Sequence, residues 1–429
     1  MSNRTALDAL LPATASRTVL PVALAAALMA LVSVPAFAQL LTPAEAITYT
    51  GTLGGQTIVL ELSDPSVGPL VGRYSYLNKG ADIPLHPLSE SPSETVLAEE
   101  VPCTPALCQR PDGNLVVDPP VGGQFRLHYS EDHAKLSGTW RASASAPVEL
   151  PVELTRFGER AFDQDGPFYL SFLWMNYGKQ ITPETSPYDY AKMQVALTEG
   201  PLKTLYGATY REVIDPRTKF AFPRIVSLPG GGDVAPINAV LDQNRWATNF
   251  AGFDCLSKDY LSAVWLPPPF GTAGNSLGGI DHDKISIDYL SDTVISIHQA
   301  GIGSCVGDPY NFVDYQTYDV RAGRVLDPSQ IFKHWDATSN RATAPLIDWV
   351  IAVYHAAHAD DPKADVSCVN HDRLADGLKV SFAEHDIVVF QVVSIGAVSC
   401  MGPIIAGPLA DIKDLLTAKA VDYFPSLGS

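Results

Sequence analysis

The sequence predicts an α+β chain, with an all-β N-terminal part followed by a part in which helices pack on an antiparallel sheet, on three observations. Apolar and polar residues alternate with period two through TIVLEL (Thr57 to Leu62) and QFRLHY (Gln124 to Tyr129), the pattern of half-buried strands. KISIDYL (Lys284 to Leu290) and TVISIHQ (Thr293 to Gln299) alternate in the same way around Ser291-Asp292, which reads as an antiparallel hairpin. Leu346, Ile347, Val350, Val353, Tyr354 and Ala357 recur instead at helical spacing behind the capping residue Thr343.

Taken in order, the chain opens with Arg4 and Arg17, an apolar run from Val19 to Val34, and Ala36-Phe37-Ala38. That is the grammar of an export signal over residues 1–38 cleaved after Ala38. As an uncleaved anchor the run is short for a span. Every later hydrophobic run is broken by charge, Gly or Pro, so the mature chain is expected to be periplasmic or secreted without a stable membrane anchor.

Residues 45–156 are expected to form an all-β meander, a sandwich or a barrel-like sheet. It carries a degenerate internal repeat: TIVLEL, Leu70 to Tyr74 and Ile83 to Leu85 are mirrored by QFRLHY, Leu136 to Trp140 and Val148 to Leu150. The Pro, Ser and Glu-rich stretch from His86 to Pro120 reads as loop. Residues 157–204 read as a connector in which FYLSFLW could add a strand. Residues 205–425 form the α+β part. Its first helix starts at Asp233 with Pro236 in the first turn; NFVDYQTYDV, LKVSF and IVVFQVV add strands, and Leu409 to Leu416 is a short closing helix.

Composition excludes some functions. The formal net charge of the 429 residues is −18, and loss of the leader, with two arginines against one aspartate, makes it one unit more negative. Such a surface repels nucleic acid and favours a cationic partner. Six cysteines (Cys103, Cys108, Cys255, Cys305, Cys368 and Cys400) in an exported chain suggest disulfides. Cys103 with Cys108 would close a small loop; Cys255 with Cys305 and Cys368 with Cys400 are the first guess for the rest. No C-x-x-C occurs, so thioredoxin-type chemistry has no support.

The motifs that carry chemistry are few. Gly301-Ile302-Gly303 begins a glycine-rich stretch, but a strand follows it where a dinucleotide loop needs a helix. Gly274-Asn275-Ser276-Leu277-Gly278 fits the serine-hydrolase elbow, with His282 or His298 as base, yet prolines precede it and a charged turn and strand follow. His355 and His358 sit toward the solvent side of their helix near its C-terminus, so no metal site is expected. Asp163 to Gly166 lacks the glutamate that completes a calcium loop. Tyr310, Tyr315 and Tyr318, with Trp335 beyond, are aromatics of the kind a protein or glycan surface uses.

Residues 205 to 425 resemble the RsiV-like extracellular domain family, found in a lysozyme-sensing anti-sigma factor and in many exported bacterial proteins. The likeness rests on Pro223-Arg224-Ile225 and Ile237-Asn238, then on Gly301, Gly303, Asn311, Phe312, Tyr318, Asp319, Gly323, Leu326 and Phe332, and lastly on IVVFQVV, Gly402, Gly407 and PLADIKDLL. Where the family often has a glycine-glycine-alanine-histidine bend, this chain has Gly303-Ser304-Cys305. The resemblance implies the α+β fold and the binding of an extracytoplasmic ligand, lysozyme-like proteins being the specific candidate. The resulting expectation is a non-catalytic exported protein without cofactor that binds a cationic protein or a cell-wall component. The alternatives are a serine hydrolase using Ser276, and a glycan- or peptidoglycan-binding envelope protein.

Overall fold

A computed structural model describes residues 44–64, 70–91, 94–101, 120–162, 180–265, 280–303, 310–360, 369–384, 387–392 and 402–428. The expected leader, FYLSFLW, the Asp163 to Gly166 segment and Ser276 lie outside them. Strands β1 (Ala44–Leu53) and β2 (Gln56–Ser63) are joined by Gly54-Gly55, both at positive φ, the backbone that a two-residue hairpin turn demands. The meander continues through β3 (Gly72–Tyr76), β4 (Ile83–Glu90), β5 (Thr95–Glu100), β6 (Val121–Tyr129), β7 (Lys135–Arg141) and β8 (Leu150–Phe162). Strand β8 then pairs antiparallel with β1, closing a barrel of eight strands.

Closure excludes the sandwich and removes sheet edges. The expected loop from His86 is also corrected, since β4 and β5 occupy described parts of it. Pro87 in β4 is accommodated because the register slips between Pro87 and Ser89, where a ladder donor is dispensable. The internal repeat maps β2, β3 and β4 onto β6, β7 and β8. Inside, Leu60, Leu85, Leu97, Phe125 and Leu136 are fully buried. Among them the Glu99 carboxyl accepts from the Tyr74 hydroxyl, from Trp140 Nε1 at 2.7 Å and from the Gly123 N–H at 3.0 Å, so a buried polar group is supplied with donors.

Two helices cover the barrel wall. Helix α1 (Pro187–Met193) lies against β2, burying Tyr188 and Ala191 on Val59. Helix α2 (Ala235–Trp265) has 31 residues, about 46 Å at 1.5 Å per residue. Its Phe253 approaches Gly80 so closely that a Cβ there would stand 2.3 Å from the ring, and Gly80 also has φ +85°. Ser257 Oγ accepts from the Asp82 N–H at 2.9 Å.

Between barrel and helices lies a buried ionic cluster. Glu61 accepts from Arg160 Nε at 2.6 Å and from Arg73 Nε at 2.9 Å; Arg73 Nη1 donates to Asp82 at 3.0 Å; and Asp82 Oδ1 accepts from Lys192 Nζ at 2.6 Å and Tyr188 at 2.8 Å. The Arg73 guanidinium stacks 4.1 Å from the Tyr188 ring centre. Beside it, Arg217 joins Asp215 at 2.7 Å to the backbone carbonyls of Leu77 and Lys192, tying barrel, α1 and the next hairpin together.

The C-terminal part is built on an eight-stranded sheet of β9 (Thr198–Glu199), β10 (Lys203–Leu205), β11 (Ala208–Ile214), β12 (Ala221–Ser227), β13 (Ile280–Leu290), β14 (Val294–Gly303), β15 (Tyr310–Asp319) and β16 (Arg324–Val325). The pairing is antiparallel except between β12 and β13, which α2 connects as a crossover. One face packs on α2 through Ile285, Ile295 and Ile297. The other packs on a three-stranded sheet of β19 (Leu378–Ala383), β20 (Ile387–Val392) and β21 (Gly402–Pro408), after the short pair β17 (Trp335–Asp336) and β18 (Arg341–Ala342). Helix α3 (Ala344–Ala357) buries Leu346, Ile347 and Val350 of its expected stripe, leaves Val353 and Tyr354 half-buried and Ala357 exposed, and has Thr343 at the N-cap position without a side-chain hydrogen bond to the helix. Helices α4 (His371–Gly377) and α5 (Ala420–Tyr423) complete this half, and the expected closing helix is a 3-10 segment, Leu409–Leu415. Residues Pro43–Ser429 form one compact unit.

Candidate functional site

The period of two along β15 puts successive side chains on opposite faces, and this separates the tyrosines expected to act together. Tyr318 points into the α2 side, is 2% exposed, accepts from Asn244 Nδ2 at 2.9 Å and donates to Gln316. Burial pushes its hydroxyl up to about 12. It is a core residue, not part of a binding surface. Tyr315 lies on the other face, half-buried. The side chain of Tyr310 lies outside the described residues; its backbone pairs with Gly303.

Tyr315 borders a cleft of about 410 Å³ between β15, the β16 corner and β19. Phe332 and Trp335 form one wall and Phe382 another. Trp335 is fixed by a hydrogen bond from Nε1 to Asn340 Oδ1 at 3.1 Å, and Phe332 packs 6.5 Å from it and 5.6 Å from Phe390. The edge of β19 stands on the large sheet, where side-chain hydroxyls pair its backbone: Thr317 Oγ1 donates to the Val380 carbonyl at 3.0 Å, and the Phe382 N–H donates to Ser296 Oγ at 3.0 Å. At the rim, Lys379 lies 3.6 Å from Asp314.

His298 is the one expected catalytic residue whose side chain is described. Cross-strand register sets it between Ser286 on β13 and Tyr315 on β15. Its Nδ1 is 2.7 Å from Asp288 Oδ1, and its ring centre is 5.7 Å from that of Tyr315. Burial, and then the Asp288 charge, raise the Tyr315 hydroxyl above the ordinary phenol value. An imidazole oriented by a carboxylate is half of a base relay. His282 pairs with Ile302 through its backbone, while its side chain and Ser276 lie outside the described residues.

Among the described residues no cluster of three or more His, Cys, Asp or Glu side chains could hold a metal, and no helix is long and apolar enough to cross a membrane. His355 is exposed, and His358 Nδ1 is 2.8 Å from the Tyr354 carbonyl, with its ring against the Tyr354 ring. Cys255 is 1% exposed and disulfide-bonded. The other five cysteines lie outside the described residues, and the expected pairings lie there with them.

Asp288 and Phe382 were not singled out from sequence, and Phe332 was named only for the family resemblance, not as a wall of the cleft. Asp288 could not have been found by laying the hairpin in register, since the bulge between Ile287 and Tyr289 sets where it falls relative to His298. Nor could the walls, because Phe332 and Phe382 are 50 residues apart and reach the cleft from separate elements, Phe332 from a bridge to Leu416 and Phe382 from β19. No protein-family model matches the chain, and no curated protein matches its sequence.

Proposed function

We infer that the protein is an exported, non-catalytic binding protein whose partner docks on the face that holds the Tyr315 cleft. The observation that carries this reading is the cleft itself: an aromatic-walled recess with a few fixed polar groups, the usual composition of a recognition site. The net charge of −18 favours a cationic partner and would speed its approach in a salt-dependent way. The RsiV-like resemblance makes a lysozyme-like protein the specific candidate, and a cell-wall component the next.

The test is calorimetric titration of the mature chain with lysozyme at physiological and raised salt. Saturable binding of fixed stoichiometry that survives added salt is the expected result. Binding that vanishes with salt would be charge attraction without a site and would remove lysozyme-like proteins as the partner.

A second reading, a serine hydrolase using Ser276, is favoured by one observation, the His298–Asp288 contact at 2.7 Å. It predicts labelling by a fluorophosphonate probe that disappears in Ser276→Ala. The binding reading predicts no labelling of either protein.

A further inference from the structure

We propose that the outer edge of β15 takes up an extended segment of a basic protein as an added strand, with the inward side chains of that segment filling the cleft beside Trp335. This rests on the binding reading above and specifies the form in which the partner is held.

Strand β15 pairs along its whole length with β14, but among the described residues its other side pairs only with β16 and the Leu326 that follows it. In an antiparallel strand the N–H and C=O of one residue point to the same side, and successive residues alternate. The Thr317 carbonyl accepts from the Leu326 N–H at 2.8 Å, on the side away from β14. By alternation Tyr315 and Val313 present their backbone groups to that side as well. Among the described residues no strand pairs with them there. Unpaired edge groups are a template for another chain, and proteins usually blunt them with lysine or proline. From Val313 to Thr317 this edge has neither.

The cleft opens where β16 leaves the edge, so a strand continuing its line past Tyr315 would lie along the cleft mouth. Alternate residues of a strand are about 6.6–6.8 Å apart and face the same way. An apolar cavity of about 150 Å³ accommodates benzene, so the volume of about 410 Å³ has room for two such side chains. Val325, 63% exposed, lines the entrance as an apolar contact.

Charge selects the occupant. Two copies of a chain carrying −18 repel, whereas a basic segment is drawn in and finds on the receiving strand the half-buried Asp314, which Lys379 and Gln316 already share. The segment expected is therefore one that alternates basic residues with large apolar ones.

The probe is a synthetic peptide alternating lysine with phenylalanine and leucine, titrated into the full chain beside a twin N-methylated on the amides that would face β15. N-methylation removes the edge hydrogen bonds and leaves the side chains and the protein unchanged. Saturable binding of the parent peptide, at least tenfold weaker for the twin, is expected. Val313→Pro, which removes an outward N–H and leaves the β14 ladder intact, should weaken the parent peptide by at least as much.

Equal binding of the two peptides, or binding of neither, overturns the proposal. So does a dimer in sedimentation that Val313→Pro abolishes, because the second copy is then the occupant. Lysozyme bound equally well by the parent and by Val313→Pro would overturn the edge and leave the binding reading in place. The peptide signature without lysozyme binding would support the edge and remove lysozyme-like proteins as the partner.

Discussion

Arg73→Ala is expected to cost about 3–5 kcal/mol of folding stability, the range for breaking a buried ion pair from one side. The guanidinium is 2% exposed and lies between Glu61 at 2.9 Å, Asp82 at 3.0 Å and Asp189 at 3.6 Å. Removing it leaves carboxylates with less positive charge than their burial requires, and it removes the packing on Tyr188. A denaturant series should show a lower midpoint at unchanged slope. A loss below about 1 kcal/mol would put the cluster in the class of exposed pairs and sink this account.

The same cluster sets the acid limit. Burial alone would raise Glu61 and Asp82, but the Arg160 and Arg73 charges on the first, and the Lys192 and Arg73 charges on the second, hold both below the ordinary carboxylate value. A depressed folded value contributes stability that is full above the unfolded value and is lost as pH falls through the folded one. Acid unfolding of Arg73→Ala should therefore begin at higher pH than that of the parent.

What was legible in the sequence was local. TIVLEL and QFRLHY announced β2 and β6 by period alone, and Asp233 with Pro236 announced the start of α2, where the Asp233 carboxylate accepts from the Ala235 N–H at 2.9 Å. The length of α2 was not legible, because Arg245, Thr248 and Asn249 interrupt the buried apolar residues Ile237, Leu241, Phe250 and Phe253 along its inward face. These residues serve the polar junction; Asn249, for one, accepts from Thr218 at 2.6 Å. The choice of a closed barrel over a sandwich was not legible either, since closure depends on β1 meeting β8 across the whole N-terminal part. For the site, alternation along β15 already implied that Tyr315 and Tyr318, three apart, face opposite ways. The bulge between Ile287 and Tyr289, which governs where Asp288 lies, leaves no local sign in the sequence.

Phe382→Ala is expected to cost about 3–5 kcal/mol as well, by a different route, because it empties volume where two sheets meet. The ring is 1% exposed and packs 4.5 Å from Phe424 and 6.5 Å from Tyr289, while its backbone N–H remains on Ser296. Phe382→Leu keeps most of the volume and should cost less than about 1.5 kcal/mol. Since Phe382 also walls the cleft, the alanine variant should weaken any partner that places a side chain there, and the leucine variant should restore most of that binding. The two variants test how far the parts of the molecule are coupled. Pro43–Ser429 is one compact unit joined through α1, α2 and the Arg73 cluster, so Trp140 in the barrel and Trp335 at the cleft should report a shared unfolding midpoint that moves in both Arg73→Ala and Phe382→Ala. If Trp140 keeps its midpoint in Phe382→Ala while Trp335 loses its own, the barrel folds independently and the cluster is only a tether. The barrel would then have to be given its own role in binding, apart from the cleft.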